Sequence, residues 1–98
     1  MLVMDDFEKL LSNVILVCLR DLLGTTAANA MNFYLDPSVA AKDPDGYASR
    51  LISITGPNSS NVILKRIQDS LCEKVGLPKQ TWKSFAQCVF TARKQANL

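Results

Sequence analysis

The chain predicts an all-α fold, a compact bundle of four to five short helices, and three observations carry that expectation. Apolar residues recur at i, i+3 and i+4 in every segment long enough to show a period. Glycine and proline stand where helices would stop or start, and no segment alternates apolar and polar residues as a half-buried strand would. With 98 residues, 48% of them hydrophobic and 20% charged, the composition suits a single helical domain over residues 1–98 with a small core.

Asp5 or Asp6 caps a first helix that runs to about Leu23, with Phe7, Leu10, Leu11, Val14, Ile15, Cys18 and Leu22 on its inner face. Leu16, Val17 and Leu19 widen that face, which places the helix at the centre of the bundle or partly under a second chain. Gly24 ends it, and Thr25 or Thr26 caps a second helix over about residues 27–35 with Ala27, Ala30, Met31 and Tyr34 in register. Asp36-Pro37 breaks that helix, because the residue before proline is pushed out of the α region. A loop follows, with a short turn at residues 39–41. Asp43 as N-cap and Pro44 at N1 start a third helix that carries Tyr47, Ala48, Leu51 and Ile54 and ends near Thr55.

The most clearly punctuated helix lies between Gly56-Pro57 and Gly76-Leu77-Pro78. Pro57 suits N1, Ile63, Leu64, Ile67, Leu71 and Val75 form one stripe, and Gly76 occupies the place of a left-handed C′ residue. Its stripe should meet the broad face of the first helix and the Phe85/Val89 side of the last. That last helix starts between Pro78 and Thr81 and runs to about Gln95, with Trp82, Phe85, Ala86, Val89, Phe90 and Arg93 on one side.

Net charge is only +2, yet its distribution is uneven. Seven acids face three bases in residues 1–45, and eight bases face two acids in residues 46–98. No acid follows Glu73. In a small bundle the two halves compensate each other. A sharper reading gathers Lys79, Lys83, Arg93 and Lys94 into a basic surface for a partner, either an acidic protein or a nucleic acid. The three cysteines, Cys18, Cys72 and Cys88, lie among apolar neighbours and form no C-x-x-C pair, which suits structural thiols in a reducing cytoplasm. The opening stretch MLVMDDFEKLL lacks the basic start of a signal peptide, and the apolar run 14–19 is far short of a membrane span. The expectation is a cytoplasmic protein, a monomer or homodimer that does not engage membranes.

Histidine is absent, which removes the commonest general base and metal ligand. Residues 56–60, GPNSS, superficially resemble a phosphate loop but lack the G-K-[ST] ending. An anion at the backbone N–H groups there is the alternative to a plain helix start. In the calcium-loop register that puts Gly46 sixth, Ala41 and Ile52 stand at positions one and twelve, where carboxylates are required. No catalytic residue, metal or cofactor is expected.

The order of Leu23-Gly24, the alanine-rich helix ending Phe33-Tyr34-Leu35, Asp43-Pro44 with Tyr47, Leu51 and Ile54, Gly56, and then Ile63, Ile67, Leu71 and Val75-Gly76-Leu77 resembles an archaeal family of uncharacterised all-α domains. This family is the Nitrosopumilus output domain type five, formerly a domain of unknown function. The resemblance covers about half the chain and consists almost wholly of structural positions. It implies a helical module of regulatory or interaction type, found alone or within archaeal signalling proteins, and a relation to a calcium-binding member whose key ligands the loop here has lost. The expected function is therefore a non-enzymatic module for protein interaction or signalling output, with nucleic-acid binding through the basic C-terminal helix, or a calcium-binding helical protein whose loop has lost key ligands, as the alternatives.

Overall fold

A computed structural model describes residues 6–96 of the chain. Among these residues the fold consists of helices and no strand: α1 (Asp6–Leu23), α2 (Thr25–Tyr34), α3 (Val39–Lys42), α4 (Pro44–Thr55), α5 (Pro57–Val75) and α6 (Phe85–Ala96). Asp5, one of the two proposed caps of the first helix, lies outside the described residues.

The starts of the helices follow from local chemistry. Asp43 accepts a hydrogen bond from the Gly46 N–H at 3.1 Å, and Pro44 fills N1, where an N–H would have no partner. Asp36 accepts from the Ser38 N–H at 3.0 Å, and this turn leads into α3, a one-turn helix where the sequence suggested only a turn. α5 ends as its residues require. Gly76 adopts φ 82°, ψ 24°, and the Leu77 N–H reaches back to the Cys72 carbonyl at 2.8 Å, closing the left-handed cap.

Gly24 and Gly56 share one unusual geometry, φ 84° and ψ 162°. The Gly56 N–H donates to the Ile52 carbonyl at 2.8 Å, while its own carbonyl accepts from the Ser60 N–H at 3.0 Å. A single residue thus closes α4 and opens α5, with no linker between them. Gly24 does the same for α1 and α2, donating to Arg20 at 2.9 Å and accepting from Ala28 at 3.0 Å. Such dihedrals are open essentially to glycine alone. Gly24 itself therefore caps α2, and Thr25 and Thr26, the expected caps, fall in its first turn.

α1 and α5 pack on each other at the centre. α1 also carries α2 and α3, and α5 also carries α4 and α6, while α4 reaches α3 and α6. The molecule is flat, 36 × 35 × 22 Å, about two helix diameters thick. The first helix is thus central, as its wide apolar face implied. Leu11, Val14, Ile15, Cys18 and Leu19 are buried on it, and Ile63, Ile67, Leu71 and Cys72 on α5. Tyr47 of α4 is fully buried against Phe85 of α6, ring centroids 6.0 Å apart.

Three faces differ from expectation. On α4, Tyr47 and Leu51 are buried as expected, but Ile54, in the last turn before the Gly56 corner, is exposed. On α2 the buried row is Ala28 and Met31, continued by Leu35, while Ala27, Ala30 and Tyr34 are exposed. No charged residue marks the outer side of this helix, so its periodicity admits more than one rotation. The last helix begins at Phe85, later than expected, because Ser84 caps it: the Gln87 N–H donates to Ser84 Oγ at 3.1 Å. The Gln87 side chain accepts in turn from the Lys83 N–H at 2.8 Å, a variant of the S-x-x-Q capping box. Its buried row is Phe85, Cys88, Val89 and Ala92, with Phe90 outside. Small Cys88 and Ala92 let α6 approach its neighbours closely, and that outweighs the bulk of Phe90.

Gly56→Ala should destabilise the fold by about 1–3 kcal/mol, because a Cβ there meets open space and the whole cost is the backbone conformation. Gly76→Ala, in the milder left-handed region, should cost about 1 kcal/mol. Urea midpoints that rank the two variants in the opposite order would contradict this account. Leu71→Ala and Ile67→Ala should each cost about 2–5 kcal/mol, whereas Lys65→Ala on the exposed side should stay within about 0.5 kcal/mol. Thermal melts of the three variants make the comparison.

Candidate functional site

A groove of about 460 Å³ with a mixed apolar and polar lining lies between α4, α5 and the segment 80–85. Both helices reach it because the Gly56 corner folds α5 directly back from α4. Ala48, Ile52, Leu64 and Phe85 supply apolar wall, and Asn61, Gln68, Gln80 and Thr81 supply amides and a hydroxyl. Asp45, Lys65 and Lys83 set charges of both signs around it. Lys65 Nζ lies 3.8 Å from Asp69 Oδ2, an exposed i, i+4 pair of the kind that adds little stability.

Trp82 lines this groove. It stands three residues before α6 and not in the first turn of a helix, and its half-buried ring also packs on the core. Its indole Nε1 is buried and meets no acceptor among the described residues. An unpaired buried N–H costs about 1–3 kcal/mol, so this ring position is held by packing against a polar cost.

A second cleft, about 360 Å³, opens between α1 and α5. Cys18 Sγ lies at its base, 3.5 Å from Ser70 Oγ. Asp21, Asp69 and Glu73 line it together with Arg66 and Lys79. Acids and bases interleave there, and among the described residues no group of histidine, cysteine or acidic side chains has the arrangement of a metal site.

The four basic residues singled out by sequence do not share one depression. Lys79 sits in the cleft with three acids, and Lys83 lines the Trp82 groove. Arg93 places its guanidinium 4.8 Å from the centre of the Phe7 ring, a cation–π contact that ties α6 to α1. Lys94 is exposed beside it in the chain. The start of α5 is built as a helix cap: Ser60 is fully buried and its hydroxyl donates to the Pro57 carbonyl at 3.1 Å.

All three cysteines are buried. Burial raises the Cys18 thiol pKa, against the smaller opposing effects of Ser70 and Arg66. Burial first, and then neighbouring Cys72, lifts Cys88 from 9.0 to about 12. Burial also pushes the Tyr47 phenol well above its ordinary range, and its hydroxyl has no partner among the described residues. A thiol reacts as its thiolate, so burial and the raised pKa disfavour reaction at Cys18 and Cys88 in the folded state. What sequence reading missed is the groove itself. Trp82 was visible as an isolated aromatic among lysines, but the residues of α4 and α5 that face it are distant in sequence. Compared with protein-family models, with curated proteins and with solved structures, the chain matches none.

The pKa shifts set a pH window. The folded state holds the Cys88 proton up to about 12, while the unfolded thiol releases it near 9.0. This contribution to stability is complete below that value and is lost as pH rises through the folded one. Urea midpoints should therefore fall between about pH 9 and 12, more shallowly in Cys88→Ala than in wild type. A disulfide reagent at pH 8 should label none of the three thiols before unfolding, and rapid native labelling would contradict their burial.

Proposed function

We propose that this chain is a non-enzymatic helical module for protein interaction, of the signalling-output type implied by its family resemblance and working in an archaeal-type cytoplasm. The groove lined by Trp82 is its recognition surface. The observation that carries the proposal is the unpaired indole N–H of Trp82. A partner that offers a backbone carbonyl, and draws the ring round to meet it, recovers the cost of that unpaired donor. Tryptophan is the side chain most often found at the energetic centre of protein interfaces, and amides beside apolar wall suit a polypeptide segment. Mixed charge around the groove favours a partner that is not strongly charged. The absence of histidine from the whole chain, together with buried thiols of raised pKa, leaves few groups able to serve as base or nucleophile.

Trp82 is the sole tryptophan of the chain, so its fluorescence reports on this groove alone. Wild-type protein immobilised in native extract should retain a protein that Asn61→Arg, which fills the groove from α5, does not retain. Adding that protein should shift the Trp82 emission of wild type. Retention unaffected by Asn61→Arg, with unchanged emission, would remove the groove from the proposal. In mobility-shift assays with duplex and single-stranded oligonucleotides, no submicromolar binding is expected. Tight binding with a steep salt slope would replace this reading with nucleic-acid recognition.

A further inference from the structure

We propose that the outer face of α2 is a self-association surface, on which two copies of this chain pair α2 antiparallel to α2 about a two-fold axis near Ala30. The surface shares no residue with the Trp82 groove, and the proposal stands independently of that reading. α2 turns Ala28 and Met31 inward and packs chiefly on α1. Its other side presents Thr26, Ala27, Ala30, Phe33 and Tyr34, all exposed. Spacings of three, four and seven residues put these five side chains in one strip. Phe33 is 84% exposed and Tyr34 74%, the highest values among the large hydrophobic side chains, and their rings meet edge to face at 5.4 Å. Isolated apolar residues on a surface need no explanation, but two adjacent aromatics continued by small residues form a contiguous patch.

Charge, size and area point to a second copy as the occupant. No charged residue lies between Asp21 and Asp36, and α2 is the only one of the described helices without one. Near a two-fold axis each side chain faces its own counterpart, so a charge there would meet like charge, and a neutral helix avoids this. The strip is also graded in size along the helix, with Thr26 and Ala27 at its start and Phe33 and Tyr34 at its end. With the axis at Ala30, antiparallel pairing sets Phe33 of one copy opposite Ala27 of the other, and Tyr34 opposite Thr26. Large rings then fall on small residues at both ends, and Ala30 lets the backbones approach closely at the crossing. Parallel pairing would stack ring on ring and leave the alanines apart. Each ring buries about 150–250 Å², so four rings with their small neighbours reach the order of 1,000 Å², the lower end for a specific interface. The dimer is therefore weak and depends on protein concentration.

Sedimentation velocity of the full chain over about 10 µM to 1 mM tests this, because self-association is governed by protomer concentration. Wild type should pass from monomer to dimer across that range. Ala30→Arg, which sets two like charges at the axis, should remain monomeric, and Tyr34→Ser should weaken association at least tenfold. Val62→Arg, a charge on an exposed apolar position of α5, should dimerise as wild type does. Circular dichroism should show the same helix content and melting behaviour in every variant, since all these positions are exposed. A wild type that stays monomeric at the highest concentration overturns the proposal. So does an Ala30→Arg variant that associates as strongly as wild type, since the contact would then lie on another face.

Discussion

The contact between α1 and α5 is the constraint on which the rest of the fold depends. These are the two longest of the described helices, and each offers a broad apolar row, Leu11 to Leu19 on one and Ile63 to Leu71 on the other. Each also leads through a glycine corner into or out of a second helix: α1 into α2 at Gly24, and α4 into α5 at Gly56. The corners contain no linker, so once α1 and α5 are docked, the directions of α2 and α4 are largely set. The fold is thus two helix pairs hinged at fixed angles, with α3 and α6 closing the remaining apolar surface. Cys18 and Ser70, touching across the α1–α5 contact, show how closely the two helices meet.

This arrangement decides which chemistry stays inside and which reaches solvent. The three thiols and the Tyr47 phenol are drawn into the core, where burial holds the protons of Cys18, Cys88 and Tyr47 on. Surface chemistry falls to side chains that the two hinged pairs leave uncovered. One result is the Trp82 groove, open because α6 starts only at Phe85 and the chain before it crosses between α4 and α5 without regular structure. Another is the outer side of α2, open because its one substantial neighbour is α1. The basic excess of the C-terminal half is spent in separate places: Lys79 among acids, Lys83 beside the groove and Arg93 over Phe7.

By itself the sequence determined the all-α class, the start of α4 and both ends of α5, the left-handed cap at Gly76, the wide apolar face of α1 and the burial of the cysteines. These are settled by short-range rules: proline and aspartate at a first turn, glycine where φ must be positive, and apolar side chains repeating on one face. The start of α6 was equally local. Ser84 and Gln87 carry the capping signature, but Pro78 and Thr81 offered an earlier start, and only the folded chain shows which one the backbone takes. The rotations of α2 and α6 were decided by tertiary structure alone. Alanine, threonine and asparagine on α2 differ too little in burial free energy to orient a helix, and the fit of small Cys88 and Ala92 against their neighbours outweighed the larger Phe90 on α6. The groove was illegible for the same kind of reason: Ile52, Asn61, Leu64 and Trp82 become neighbours only when the Gly56 corner folds α5 back along α4.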